Sequence, residues 1–364
     1  MSLAMDDARA AARASGLRYS TDARPGWSRR RSGRGWTYID ADGATIRDAD
    51  ARARIAALAI PPAWTDVWIC PWSNGHLQAT GRDARGRKQY RYHAMWRERR
   101  GAENFERMIA FSTALPRIRR RCRQDLASKR LSREKVLAAV VQLLELTLIR
   151  VGNEEYARLN RSFGLTTMRG RHARIEGSRL RFRFRGKSGA MHEVDVRDRR
   201  LASIVRRCQD LSGQDLFAYV DDDGKVRDVT SDDVNDYLRE ASGGDFTAKD
   251  FRTWAGTLLA YRALRALQPE DHGPAARRNV VEAMRRTAAR LGNTPAVARG
   301  SYVHPAVLDA YLDGSLPGAL VDAAEEQATP PVGSDRGEER AVVRLLRQRA
   351  RQASRASRSP KPPG

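Results

Sequence analysis

The chain changes character near residue 100, and this change limits the folds open to it more than any single motif does. Before it, short alternating stretches are separated by Gly turns: WTYIDADGATI, VWICPW and HLQATGRDARGRKQYRYH. The Asp42-Gly43 pair predicts a hairpin. Trp27, Trp36, Trp64, Trp68, Trp72 and Trp96 all fall in this part, and most of them are expected in the core of a small sheet. After it, the pattern turns helical. Residues 135–150 have the continuous apolar content of a buried helix. Further helices are expected from about Leu201, from Ser231 as an N-cap, from Thr247 and from Asn279. Gly292 reads as a C-cap, and Thr294-Pro295 as the start of another helix. One strand-like interlude intervenes. In RLRFRFRGKSGAMHEVDV, Leu180, Phe182 and Phe184 alternate with arginines, GKSG turns the chain, and Val194 and Val196 continue. This predicts a hairpin with Lys187 near its tip. The fold class expected is α+β, a small N-terminal β-rich domain and a larger, mainly helical one. The expected boundaries are a flexible N-terminus (1–16), a β-rich domain (17–100), a mainly helical domain (101–322) and a basic, largely disordered tail (323–364).

Charge narrows the partner. Among 364 residues, 67 are Lys or Arg and 44 are Asp or Glu, a formal charge of +23. A polyanion is expected, nucleic acid first and an acidic lipid surface second. Residues 340–364 hold eight of these positive charges and no acid, so the remaining +15 lies on the rest of the chain. The stretch SRASRSPKPPG cannot pack a core. AVVRLLRQRARQA could form a short basic helix on DNA or remain a solvated tail. The apolar run 136–149 is broken by Gln142 and Glu145 and is too short to span a bilayer. The first residues, MSLAMDDARAAARASG, carry early acids and no apolar h-region, so no secretory signal is expected. Cys70, Cys122 and Cys208 are scattered without CxxC, and the histidines lack HExxH or HxH spacing. The expectation is a cytoplasmic, nucleoid-associated protein without membrane segment, disulfide framework, metal site or cofactor.

Candidate functional residues follow from charge chemistry. GRKQYRYH interleaves Arg87, Lys88, Gln89, Tyr90 and Tyr92. On a strand Tyr90 and Tyr92 share a face, and such mixtures of aromatic, amide and basic groups contact bases and phosphates. Taken alone, strand tyrosines usually pack. Gly186-Lys187-Ser188 is not a phosphate-binding P-loop, because position 181 is Arg where that motif needs Gly. Lys187 matters for another reason. Only seven of the basic residues are lysines, at 88, 129, 135, 187, 225, 249 and 361. Lysine can release a proton where arginine effectively cannot. A lysine at a hairpin tip in a phosphate-rich site is a candidate general acid, although a turn lysine alone is ordinarily a surface group.

Over roughly residues 18–314 these motifs resemble, in order, the type IB DNA topoisomerases of the short poxvirus-like bacterial kind. LIRVGNEEYARLNRSFGLTTM supplies Arg150, RFRGKSG supplies Lys187, KDFRTWAGT supplies Lys249 and Arg252, and LGNTPAVARGSYVHP supplies Asn293 and Tyr302. GRKQYRYH is similar to the family's N-terminal DNA-contact strand. The resemblance implies a monomeric clamp around duplex DNA, preferably supercoiled, and ATP- and metal-free relaxation through a 3′-phosphotyrosine. It implies Tyr302 as nucleophile, Arg150 and Arg252 on the nonbridging oxygens, Lys187 as acid and Lys249 as an assistant. Tyr156, six residues after Arg150, is expected to contact phosphate. Tyr261 and Tyr311 lack the LGNTP context that precedes Tyr302. Asn293 stands where poxvirus-like enzymes commonly carry His; its amide can donate a hydrogen bond but carry no charge. His304 reads as the start of the next helix rather than a replacement. Two rivals stand beside this reading. A tyrosine recombinase usually shows HxxR, whereas Lys249 precedes Arg252 here. A non-enzymatic DNA-binding protein would need neither Lys187 nor Tyr302.

Overall fold

The computed structural model describes residues 2–33, 35–84, 86–211, 213–267, 273–316 and 336–356. The chain divides into two units, residues 1–104 and 105–364. An antiparallel sheet region comes first and a helical core follows.

The first unit begins with helix α1 (Ser2–Ala14), then strands β1 (Trp27–Ser32) and β2 (Gly35–Ile39), helix α2 (Ala49–Ala57), and strands β3 (Thr65–Ile69), β4 (Leu77–Arg82) and β5 (Lys88–Tyr92). The strand order is β2-β1-β3-β4-β5, antiparallel throughout. β4 is buried along nearly its whole length, so its polar side chains need partners. Gln78 accepts from Arg54 Nη1 at 2.7 Å and donates to the Gly75 carbonyl at 2.7 Å, and Thr80 donates to Asp22 at 2.9 Å. Ile55, Trp64, Val67, Ile69 and Ala79 form the apolar core.

Three expectations need correction here. The first residues are not a loose arm. They form α1, an alanine-rich run of high helix propensity, whose Ala12 is buried with Leu17 and Trp96. The Asp42-Gly43 turn closes only one bridged pair, Ile39 with Thr45, because Asp40 captures the Asp42 and Ala44 amides; the ladder of β2 is with β1. Of the six early tryptophans only Trp64 and Trp96 are buried. Guanidinium groups cover others: Arg18 lies 3.7 Å from the Trp72 ring, Arg29 4.0 Å from Trp36 and Arg54 5.0 Å from Trp27. Long arginine side chains thus cover flat rings that a small sheet cannot enclose.

The division point falls within helix α3 (Ala94–Leu126). The second unit continues with α4 (Arg133–Thr147), α5 (Glu154–Asn160), strands β6 (Ala173–Glu176), β7 (Arg179–Arg185) and β8 (Met191–Arg197), α6 (Arg199–Gln209), β9 (Ala218–Val220), β10 (Val226–Asp228), α7 (Ser231–Ser242), α8 (Ala248–Ala266), α9 (Pro274–Leu291), α10 (Pro295–Ser301), α11 (Pro305–Leu312) and α12 (Arg336–Ala356). β7 and β8 are the arginine-striped hairpin, with Leu180, Phe182 and Phe184 turned into the core and a 3₁₀ turn at Lys187–Gly189. α4 and α8 are buried along most of their length. The cap of α7 is Thr230, one residue before the expected Ser231, because Asp233 completes a reciprocal box with it. Gly292 ends α9 at φ +60°, and Pro295 opens α10.

The stretch expected to be a largely disordered tail contains α12. Val342, Leu345 and Leu346 fall on one face at helical spacing and are buried in the main core. Acidic residues at its start pair with the body, Glu338 with Arg262 at 2.6 Å and Glu339 with Arg119 at 2.6 Å. Basic composition concealed this apolar stripe. The SRASRSPKPPG stretch lies largely outside the described residues. Leu345→Ala should therefore cost about 2–5 kcal/mol, as other buried leucine truncations do, measured by urea unfolding. A loss within about 0.5 kcal/mol, as for surface positions, would contradict the packing of α12.

Candidate active site

Two turns of backbone present Arg150. α4 ends at Leu148 in the left-handed conformation, φ +58°. The chain then runs extended, and the Leu165 amide donates to the Arg150 carbonyl at 2.9 Å. This pairing needs glycine twice. Gly152 sits at φ +122°, and a Cβ on Gly164 would lie 2.6 Å from the Arg150 carbonyl oxygen. The arginine, Gly152 and Gly164 of the LIRVGN…SFGLTT motif are thus one local structure.

Arg252 lies on α8 and is only 4% exposed. Its Nη1 donates to the Leu148 carbonyl, and its Nη2 to the Leu291 carbonyl at 2.7 Å. These carbonyls terminate α4 and α9, where helix dipoles leave partial negative charge. Burial and the neighbouring Arg150 push the Arg252 guanidinium down to about 10. Its Nε is buried without a hydrogen-bond partner. Arg150 Nη2 donates to Asn293 Oδ1 at 2.5 Å. Arginine only donates, so this contact fixes the amide orientation and leaves Asn293 Nδ2 as a donor, also buried and unpartnered. Arg252 Nε and Asn293 Nδ2, both orphan donors beside Arg150, describe a place for an anion.

Tyr302 caps α10 and packs on α8. A Cβ on Gly256 would lie 2.6 Å from the Tyr302 carbonyl oxygen, so only glycine permits this approach. The Thr257 hydroxyl donates to that carbonyl at 3.3 Å and accepts from the His304 amide at 3.0 Å. The Tyr302 ring lies 5.2 Å from Arg252 Cζ. Burial alone would raise its phenol; the Arg252 charge and hydrogen bond, with Arg150 and Lys187, outweigh this and hold it below its ordinary value of 10. Tyr261 and Tyr237, buried away from this cluster, are pushed the other way. His304 caps α11, accepting from the Ala306 amide at 3.1 Å, and burial lowers its imidazole to about 4.

Arg150, Lys187, Lys249, Arg252 and Tyr302 line one groove of about 390 Å³, and none of its lining residues is acidic. Asn293 joins through Arg150. Two of the seven lysines thus share this groove. Gly256, Thr257 and His192 were missed in the sequence. A glycine inside a helix costs about 1 kcal/mol relative to alanine, and that was the available signal for Gly256. The remaining candidates lie elsewhere. On β5, Tyr90 and Tyr92 are exposed and stacked with centroids 6.0 Å apart. Lys88 pairs with Asp22 at 2.6 Å, while Arg87 and Gln89 both bond Asp83, at 2.6 and 3.0 Å. Tyr156 is on α5, and its side chain lies outside the described residues.

Residues 93–315 match the catalytic core of eukaryotic DNA topoisomerase I, and residues 35–83 match the N-terminal domain of bacterial DNA topoisomerase IB. DNA topoisomerase 1B of Acanthamoeba polyphaga mimivirus is 34% identical over 266 residues, 71% of this chain and 79% of the relative. DNA topoisomerase 1B of vaccinia virus (strain Copenhagen) is 22% identical over 256 residues, 69% and 78% of the two chains. DNA topoisomerase I of monkeypox virus is also 22% identical over 256 residues, with the same coverage.

The electrostatics predict a titration. The difference in phenolate absorbance between wild type and Tyr302→Phe should show one tyrosine ionising below the ordinary value of 10. Removing a neighbouring positive charge disfavours the phenolate, so Arg252→Ala should move that ionisation upward. A Tyr302 ionisation at or above the ordinary value in wild type would contradict the geometry.

Proposed function

Because this chain belongs to the type IB DNA topoisomerase family, a family of enzymes acting on DNA, we propose that it relaxes positive and negative supercoils through a transient 3′-phosphotyrosine on Tyr302. The observation that carries the reading is the acid-free groove in which a lowered phenol meets Arg150, Arg252, Lys187 and Lys249. The Tyr302 oxygen attacks a backbone phosphorus after its proton is lost to solvent. The new O–P bond forms as the bond to the 5′-oxygen breaks, and a proton from Lys187 Nζ passes to that leaving oxygen. Arg150, Arg252 Nε and Asn293 Nδ2 donate to the nonbridging oxygens, where charge grows in the five-coordinate transition state. Religation reverses each transfer and conserves the bond energy, so neither ATP nor a metal ion is required. Lys249 stands at the same groove and orients the phosphate or relays the proton.

The exposed Tyr90–Tyr92 pair, with Lys88 beside it, suits contact with the duplex, and so does Tyr156 by its place after Arg150. Arg87 and Gln89 support that strand through Asp83 and reach DNA only if those bonds exchange. Binding is expected to weaken steeply with salt, as counterions released by phosphate contacts dictate. The protein acts as a monomer on duplex DNA, preferably supercoiled, in the cytoplasm and associated with the nucleoid.

Purified protein should relax positively and negatively supercoiled plasmid in EDTA without nucleotide, and detergent should trap a covalent adduct. Tyr302→Phe should bind DNA but leave supercoiling unchanged; relaxation by that variant would refute the nucleophile. Strand exchange between two sites, in place of relaxation, would favour a recombinase. Lys187→Ala should lose far more rate on ordinary DNA than on a duplex whose bridging 5′-oxygen is sulfur, because a thiolate leaves without protonation. Equal losses on both would remove Lys187 as the acid.

A further inference from the structure

His192 is not among the groups assigned to the reaction, yet it packs against the two glycines that immediately precede Lys187 and Asn293. It lies on β8 directly across from Phe184 on β7, with the rings stacked at 5.4 Å and 14°. A Cβ built on Gly186 would lie 2.4 Å from His192 Cδ2, and one built on Gly292 would lie 2.5 Å from His192 Cε1. The ring therefore fills the side-chain space of both glycines. Gly186 immediately precedes Lys187, and Gly292, at φ +60°, immediately precedes Asn293. The ring also lines a cavity of about 160 Å³ with Arg150, Lys187, Arg252, Leu291 and Gly292. Burial, then the charges of Arg150 and Arg252, hold the imidazole below its usual range.

We propose that His192 is a positioning residue for DNA cleavage: its ring, wedged between Gly186 and Gly292, sets where Lys187 and Asn293 stand relative to the scissile phosphate. This rests on the reading of the groove given above and extends it to a residue that makes no bond to substrate. The hairpin tip at Lys187–Gly189 has only a short 3₁₀ turn of its own. Without the ring, the tip loses the contact tying it to the end of α9, and the lysine no longer arrives at the leaving oxygen in one geometry. Misplacement of a reacting group by about 1 Å is enough to cost about 10²-fold.

The test is single-turnover cleavage of a duplex by wild type, His192→Ala, Gly186→Ala and the double variant, with DNA affinity and thermal unfolding measured alongside. Each is run on ordinary DNA and on the 5′-sulfur duplex. Wild type should cleave both. His192→Ala should bind DNA normally and cleave ordinary DNA about 10²-fold more slowly, with a markedly smaller loss on the sulfur duplex, because part of what it misplaces is the acid. Gly186→Ala should also be slow, since its methyl collides with the ring. In the double variant the methyl occupies vacated space, so cleavage should be no slower than in His192→Ala alone. Wild-type rates in His192→Ala, equal losses on both substrates, or losses that add in the double variant would overturn the proposal. Cleavage of neither duplex by wild type would instead overturn the underlying functional reading. Should His192→Ala not fold, Gly186→Ala compared on the two substrates decides the same question.

Discussion

The guanidinium of Arg252 is buried and held by the carbonyl oxygens of Leu148 and Leu291, and the catalytic unit is arranged around that contact. Carbonyls at helix ends take up its Nη1 and Nη2 donors without cancelling its charge. A carboxylate in their place would neutralise it. The contrast with the rest of the unit is clear. Arg119 is neutralised by Glu145 and Glu339, both at 2.6 Å, and Arg262 by Glu338. Arg119 and Arg262 are paired with acid, whereas the arginines of the groove are left with charge to spare. The cost is repulsion between Arg150 and Arg252, which the phosphate of the proposed reaction would relieve.

α8 converts that electrostatic arrangement into geometry. Arg252 and Gly256 are one turn apart, so one face of the helix carries the cation and the seat for Tyr302. Trp254 and Arg262, on another side, meet the acids at the start of α12. The helix is therefore packed behind as well as in front, which is why a basic tail ends up in the core. Glycines serve the same end three times, at 152 and 164 behind Arg150 and at 256 behind Tyr302. At 164 and 256 a backbone approaches closer than any side chain would allow, and at 152 the chain takes a φ of +122° beside the Thr166 and Thr167 side chains.

Local rules made much of this legible in the sequence. The Phe–Arg alternation in 180–185, the turn at Lys187, the Gly292 cap and the Thr294-Pro295 start are decided by nearest neighbours, and the structure has them where the pattern puts them. The site residues were legible as motifs, and the structure brings Arg150, Lys187, Lys249, Arg252 and Tyr302 to one groove. What was hidden depends on partners distant in sequence. The apolar stripe of α12 was masked by its arginines. The tryptophans of the first unit read as core because nothing local says that Arg18, Arg29 and Arg54 will cover them. His192 is invisible until Gly186 and Gly292, 106 residues apart in the numbering, are brought to its two edges.

The same distances carry a consequence for the chain before it is folded. Arg252 reaches Leu148 across 104 residues, and Arg150 reaches Asn293 across 143. Contacts of such long loop length form late, after the entropy of closing the loops has been met. Until then Tyr302 has no guanidiniums around it and ionises as any tyrosine in water does. Under the proposed function, a newly made or partly unfolded chain therefore has no armed nucleophile. The proposed strand breakage then waits for the completed tertiary structure, a safeguard that comes from the wiring of the fold itself.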